Sequence, residues 1–266
     1  MQDTITRNLQ ETELKMLKKI SAIFQENNIE FFLACGTALG CVRHKGFIPW
    51  DDDVDLYFHG KDYNRIKDLF SNGPIDDLMF QDYSTVPGYP YPFPKIINVN
   101  SILIEKSLQH LPYNCGVYID LFPLAEVSNN QVVRNVEEKL RYFRYCLLKS
   151  YYFSFSGPKR GLNYLARHIV NPNRIQSRLQ SMYMALYENT NYVVDTGTFG
   201  KQAILCAKDF DDTIMMPFEN VPMPMPCGYK DYLTGYYGEY MKLPPEGQRL
   251  PRHQIYALII EGKRVI

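Results

Sequence analysis

The chain has 266 residues, 45% of them hydrophobic, and carries 29 Lys and Arg against 29 Asp and Glu. It is long enough to bury a real core, and its balanced charge supplies no overall field for nucleic acid, which excludes bulk DNA or RNA binding. No apolar run approaches the roughly 20 residues of a membrane helix and the N-terminus is too polar for a signal peptide, so the chain reads as cytoplasmic.

In chain order, "TELKMLKKISAIFQENNI" places Leu14, Leu17, Ile20, Ile23 and Phe24 on one stripe, which predicts an amphipathic helix. "EFFLAC" is a short apolar strand ending at Gly36, and "TALGCVRHKG" starts a helix from Thr37 that stops by Gly46. "DVDLYF" alternates as a strand and "KDYNRIKDLF" reads as a helix. "FPKIINVNSILIEK" reads as a further strand or hairpin after a Pro-rich loop, and "GVYIDLFPL" as a strand terminated by Pro123. From about 130 to 190 the pattern is helical. "MPFENVPMPMPCGY" is a Pro-punctuated connection before a last helix, "YKDYLTGYYGEY". The fold class expected is α/β (α+β): a mixed sheet flanked by helices, with an additional helical region. The whole of 1–266 is expected to be one catalytic domain, with a core over about 1–128, a helical insertion at 129–210, and a C-terminal segment, 211–266, packing on the core.

Six cysteines, Cys35, Cys41, Cys115, Cys146, Cys206 and Cys227, are spread without a C-x-x-C pair, the pattern of reduced thiols rather than of a zinc site or disulfide framework. The aromatic stretch "RYFRYCLLKSYYFSF", residues 141 to 155, is either the core side of a helical segment or a groove wall for a sugar chain.

The chemistry concentrates in "GFIPWDDDVDLYF", where Asp51, Asp52, Asp53 and Asp55 stand beside the chain's single tryptophan. Side chains at i and i+2 of a strand share a face, so Asp53 and Asp55 point together while Val54 and Leu56 point into the core. The same parity sets Asp120 opposite Val117, Ile119 and Leu121, a third carboxylate from a neighbouring strand. Carboxylates this close repel one another unless a cation lies between them, and hard oxygen donors suit Mg²⁺ or Mn²⁺. A D-x-D alone is equally the look of a solvated turn. The Gly-Thr of "CGTALG" adds to it: Gly36 permits close backbone approach and Thr37, at the following helix N-terminus, offers an N–H and a hydroxyl to a phosphate. Arg43 and His44, with Lys45, form a basic run that is either suited to a diphosphate or an anionic acceptor or is the solvated charge of a helix end, and Lys95 of "FPKIINVN" is either a further phosphate contact or an exposed edge-strand lysine. His253, in "LPRHQ", is placed outside the site.

"GTALGCVRHKGFIPWDDDVDLYF" closely resembles the signature of the LicD family of phosphotransferases, related to the fukutin-type proteins within the nucleotidyltransferase superfamily. "KIINVNSILIE", "GVYIDLFPL" and "FENVPMPMPCGYKDYLTGYYGEYMKLPPEGQRLPRH" follow in family order, so the resemblance spans roughly residues 25 to 253, with no assignable motif at about 130 to 210. The family's usual Asn-Thr after the lysine-bearing strand is Asn100-Ser101 here. The resemblance implies a nucleotidyltransferase-like core and a metal-dependent transfer of a phospho-alcohol, typically phosphocholine from CDP-choline or another CDP-alcohol, to a sugar hydroxyl of a cell-surface glycan of lipopolysaccharide, teichoic acid or capsule type. Asp53, Asp55 and Asp120 would hold the Mg²⁺ or Mn²⁺, with Asp120 alternatively accepting the hydroxyl proton. Gly36, Thr37, Arg43, His44 and Lys95 would face the donor. Two other readings stay open: a nucleotidyltransferase moving a nucleoside monophosphate, and a glycan-binding module without catalysis. Peripheral attachment to the inner face of a membrane is compatible with all three, and no oligomeric state follows.

Overall fold

In the computed structural model, which describes residues 2–111, 115–152, 175, 177–180, 187–198 and 200–266, the striped first helix runs Gln2–Glu26 (α1) and buries Leu17, Ile20 and Phe24 completely. A short strand, Phe31–Leu33 (β1), leads directly into the helix Cys35–His44 (α2). The helix starts two residues earlier than expected, so Gly36 and Thr37 lie within its first turn. It ends where Lys45 takes the left-handed conformation (φ 62°) and donates its N–H to the Gly40 carbonyl.

The main sheet is organised around two neighbouring strands, Asp55–His59 (β2) and Tyr118–Val127 (β6), which run parallel with Asp55 opposite Asp120. β1 pairs antiparallel with the free edge of β2. On the other side of β6 lies Lys95–Asn98 (β4), antiparallel with Lys95 opposite Asp120, followed outward by Leu78–Gln81 (β3). The helix Tyr63–Leu69 (α3) connects β2 to this edge. Val54 and Leu56 are fully buried as parity requires, but Tyr57 is fully buried too, because β2 is an inner strand covered on both faces.

Pro123 does not terminate β6, which continues to Val127. Residues 118–120 pair with β4 and residues 124–127 with Tyr192–Asp195 (β7), which in turn pairs with Ile204–Cys206 (β8). Pro123 falls at the change of partner, where its missing N–H interrupts no ladder bond and its carbonyl accepts from Thr196 N (3.2 Å). β7 and β8 therefore extend the sheet from within 129–210, the segment expected as a helical insertion. The helix Gln131–Tyr152 (α4) opens that stretch, and most of the remainder to 186 lies outside the described residues. On α4, Tyr142 and Phe143 are exposed while Leu148 and Tyr152 are buried, so the aromatic stretch divides between surface and core; its residues 153–155 lie outside the described residues.

β4 and the strand Ser101–Glu105 (β5) are not a hairpin. They diverge into different sheets, β5 pairing with Ile255–Ile260 (β11), which also carries Lys263–Arg264 (β12). Ser101 fixes the divergence: its hydroxyl donates to Asn98 O (2.8 Å) and accepts from Val117 N (2.8 Å). The Pro-punctuated connection is a hairpin, Thr213–Phe218 (β9) with Val221–Pro226 (β10), turned by Glu219 and Asn220, both at positive φ. Pro222, Pro224 and Pro226 recur every second residue, so their missing N–H groups all fall on one edge and the ladder survives. The last helix is Tyr229–Tyr237 (α5). No helix among the described residues is long and apolar enough to cross a membrane. Among the described residues no cysteine forms a disulfide.

Candidate active site

The acidic stretch is held from three directions. From α1, Gln10 Nε2 donates to Ile48 O (3.2 Å) and Asp51 O (2.9 Å), which fixes the turn that delivers the aspartates. From α2, Thr37 Oγ1 accepts the Asp55 backbone N–H (2.9 Å), tying the Gly-Thr turn to the start of β2. From the C-terminal segment, the Arg252 and His253 backbone N–H groups donate to the two oxygens of Asp52 (3.1 and 3.0 Å). The His253 ring closes this clasp, with Nδ1 3.2 Å from Asp52 Oδ1 and 3.9 Å from Asp53 Oδ2.

The result is a buried acidic cluster. Asp52, Asp53, Asp55 and Asp120 are all buried, so the alternative of a solvated turn fails. Oxygens of Asp51, Asp52 and Asp53 lie within 4.8 Å of one another. Burial first, and then the charge of Asp53, raises the pKa of both Asp51 and Asp55 above the ordinary carboxylate range; Asp120 adds to the effect on Asp55. Burial also raises Asp120, to about 6, against the opposing pull of Lys95. Burial disfavours the charged form of His253, but its bond to Asp52 and the charge of Asp53 outweigh that and raise it to about 9. At neutral pH the ring is therefore an imidazolium, and its Nδ1–H donates to Asp52.

Glu13 of α1 belongs to the same cluster. Its side chain is buried, its Oε2 has no hydrogen-bond partner among the described residues, and burial together with Asp53, Asp52 and Asp51 pushes its pKa well up. Crowded, desolvated carboxylates with an unpaired oxygen are a donor set for a hard cation, and the three whose oxygens could share one ion are Asp51, Asp52 and Asp53; of the expected trio Asp53, Asp55 and Asp120, only Asp53 belongs to that group.

Gly36 sits against this cluster, so closely that a Cβ on it would stand 2.6 Å from Asp51 Oδ2. Of the first-turn amides of α2, which have no intrahelical acceptors by construction, that of Cys35 donates to Tyr232 Oη (2.7 Å), while Gly36 stands beside the aspartates. A strand, a Gly-Thr helix start, and carboxylates from the following strand and its parallel neighbour therefore meet at one point of the fold.

Residues 28–157 match the family model described as LicD/FKTN/FKRP, nucleotidyltransferase domain. Over this stretch the chain is similar to the LicD family. Among curated relatives, the lipopolysaccharide cholinephosphotransferase LicD of Haemophilus influenzae is 27% identical over 93% of this chain and 95% of its own length. An uncharacterised protein of Rickettsia prowazekii is 43% identical over 42 residues, 16% of each chain.

Not every expected residue has its expected surroundings. Arg43 lines a cavity of about 540 Å³ together with Gly36, Trp50, Asp51 and Arg252, and its Nη1 donates to Tyr240 O (3.1 Å). His44 accepts from Arg43 Nε (3.0 Å) and packs edge-on against Trp50; burial and Arg43 lower its pKa, which keeps it neutral. Lys95 is only 1% exposed: its ammonium lies 2.5 Å from Asp120 Oδ1 and 3.3 Å from the centre of the Tyr118 ring. It is the built-in counter-ion of Asp120. Lys95→Met should therefore strand a buried carboxylate and destabilise the protein by about 3 kcal/mol or more, with much of the loss recovered in Lys95→Met/Asp120→Asn. Denaturant titration measures both, and a single variant as stable as the parent would contradict the pairing.

The site also contains residues that the motif reading left out. Asp51 and Asp52 are members rather than bystanders, and Arg252 and His253 reach in from 200 positions along the chain. Glu13 had a readable signal, since it stands four residues from both Leu9 and Leu17 on the buried stripe of α1, where a carboxylate has no structural reason to be.

Proposed function

We propose that this protein transfers a phospho-alcohol, phosphocholine from CDP-choline, to a sugar hydroxyl of a cell-surface glycan such as lipopolysaccharide, working in the cytoplasm. One observation carries the reading. The carboxylates of two paired strands and their leading loop converge on an α2 N-terminus, in a chain similar over nearly its whole length to a lipopolysaccharide cholinephosphotransferase.

The donor diphosphate lies at the first turn of α2, where Gly36 admits it and the Gly36 and Thr37 amides bond its oxygens. Arg43, Arg252 and the His253 imidazolium offset its charge, and Lys95 acts through Asp120. Asp53, Asp55 and Asp120, with Asp51 and Glu13 adjacent, are the residues that would hold Mg²⁺ or Mn²⁺. When bound, the ion neutralises negative charge on the diphosphate and the departing nucleotide. The acceptor hydroxyl oxygen forms the new bond to the phosphorus bearing the alcohol, the bond from that phosphorus to the CMP oxygen breaks, and CMP leaves with the electron pair. Asp120 is alternatively the group that would accept the hydroxyl proton, if the ion is held by the other carboxylates.

Incubating the purified protein and Mg²⁺ with CDP-alcohols, CTP, UDP-sugars and acceptor glycans, and following products by mass spectrometry, tests the reading. CMP release with phosphocholine appearing on the glycan is the expected result. Pyrophosphate released from CTP would assign nucleotidyl transfer instead, and glycan binding without turnover of any donor would make the protein a binding module.

A further inference from the structure

We propose that the 540 Å³ cavity beside Asp51 receives the nucleoside of the donor, with Trp50 as its stacking surface, and that the alcohol lies on the other side of the diphosphate. The inference rests on the donor reading above and goes beyond it by assigning the two ends of the donor to different places.

Position comes first. The cavity begins at Gly36 and Asp51, the α2 start where the diphosphate is placed, and runs outward between α2 and the segment after α5. One end of any donor held at Gly36 must enter it. Its volume is in the range of sites that enclose a whole small ligand, whereas a trimethylammonium head would leave most of it unfilled. Its walls offer the aromatic rings of Trp50, Tyr237 and Tyr240. Planar bases stack on such rings whatever their edge pattern.

Charge decides between the two ends. A quaternary ammonium seeks an aromatic face with anions nearby and no competing cation. Here Arg43, Lys242 and Arg252 line the cavity, and the Arg249 guanidinium already lies over the Trp50 ring, 5.6 Å from its centre. These cations repel choline but not a neutral base, and they favour the phosphates attached to it. Of the two carboxylates on the wall, Asp51 is drawn into the acidic cluster, which leaves Glu239 as an acceptor for an exocyclic amine of the kind cytosine carries.

Trp50 is the chain's only tryptophan, so its emission, excited at the red edge of its absorption, reports on this cavity without any engineered probe. With Mg²⁺ present, CMP and CDP-choline should each change the emission in a saturable way, and phosphocholine should not. By calorimetry, Trp50→Leu should weaken CMP and CDP-choline alike by about tenfold. A change produced by phosphocholine but not by CMP would overturn the proposal and place the alcohol here. So would calorimetric binding of CDP-choline that leaves Trp50 emission unchanged. The donor reading fails differently: CMP still altering Trp50 emission while CDP-choline gives no heat of binding would remove the donor and leave the nucleoside site standing.

Discussion

Asp53→Asn and Asp55→Asn should each lower turnover by at least ~10²-fold while leaving the protein folded and, in the absence of metal, more stable than the parent. The two effects have one cause. Each substitution keeps side-chain volume and removes a carboxylate from a cluster in which burial and the charge of Asp53 raise the pKa of Asp51 and Asp55. In the metal-free native state that charge is a liability, because it is desolvated and surrounded by Asp51, Asp53, Asp55 and Asp120; the unfolded chain releases the repulsion as β2 and β6 separate. In the working site the same charge is a cation ligand and part of the electrostatic arrangement that meets the transferring phosphoryl group, and losses of such contributors reach two orders of magnitude or more. Asp55→Asn should show the pair of effects more strongly, since burial and the charges of Asp53 and Asp120 all raise the pKa of Asp55, while Asp53 has the His253 ring 3.9 Å away to offset it. Steady-state transfer assays and thermal melts in chelator measure the two sides. A variant with near-parental turnover would remove that aspartate from the site, and a variant less stable than the parent without metal would mean that the carboxylate is a structural hydrogen-bond acceptor.

The parts of this site that were legible in the sequence are those that local geometry dictates. A period of two sends Val54 and Leu56 inward and fixes which face carries the aspartates, and the same rule on β6 brings Asp120 alongside Asp55. The Gly-Thr turn was readable as a helix start open to close backbone approach; that the Asp51 carboxylate is what lies against Gly36 was not. Asp51 and Asp52 were not readable as members: they precede the strand, and their positions are set by Gln10, about forty residues before, and by the amides of Arg252 and His253, two hundred residues after. No local pattern records such contacts. Lys95 misled for a related reason, since β4 looks like an edge strand until the chain order shows β3 covering it, which turns a surface lysine into a buried counter-ion. Pro123 and the prolines of β10 are strand breakers in isolation; they are tolerated because each falls where no ladder N–H is required.

Stripped of metal, the protein should lose thermal stability as pH rises from about 4 through 6, and Mg²⁺ or Mn²⁺ should return most of that loss above pH 6. The sign follows from two buried carboxyls. Asp120 and Asp195 both have folded pKa values near 6, raised by burial from an unfolded value of 3.8. Between those values the native state keeps protons that the unfolded chain has released, so unfolding becomes easier as pH climbs, and the full penalty is present once both groups ionise above pH 6. The two differ in what relieves them. Asp195 lies away from the cluster, where it accepts from Gly197 N (2.7 Å), Thr198 Oγ1 (3.0 Å) and Tyr57 Oη (3.4 Å); its share of the slope should persist with metal and disappear in Asp195→Asn. Asp120 lies beside Asp55 and Asp53, so its share should be the part that a divalent ion removes. An ion that binds only the native state adds RT ln(1 + [L]/Kd), about 2.7 kcal/mol at a hundredfold excess over Kd, and that increment should shrink as pH falls and protons displace the ion from its carboxylates. His253 acts with the opposite sign: its folded pKa of about 9 exceeds its unfolded value, so the stability from its bond to Asp52 is complete below about 6.5 and fades as pH rises through 9. Melting curves from pH 4 to 9, in chelator and in saturating Mg²⁺ or Mn²⁺, for the parent, Asp55→Asn and Asp195→Asn, separate these contributions. A melt in the parent unchanged by either ion at neutral pH would rule out the aspartates as a cation site, and a metal increment surviving intact in Asp55→Asn would move the ion away from β2.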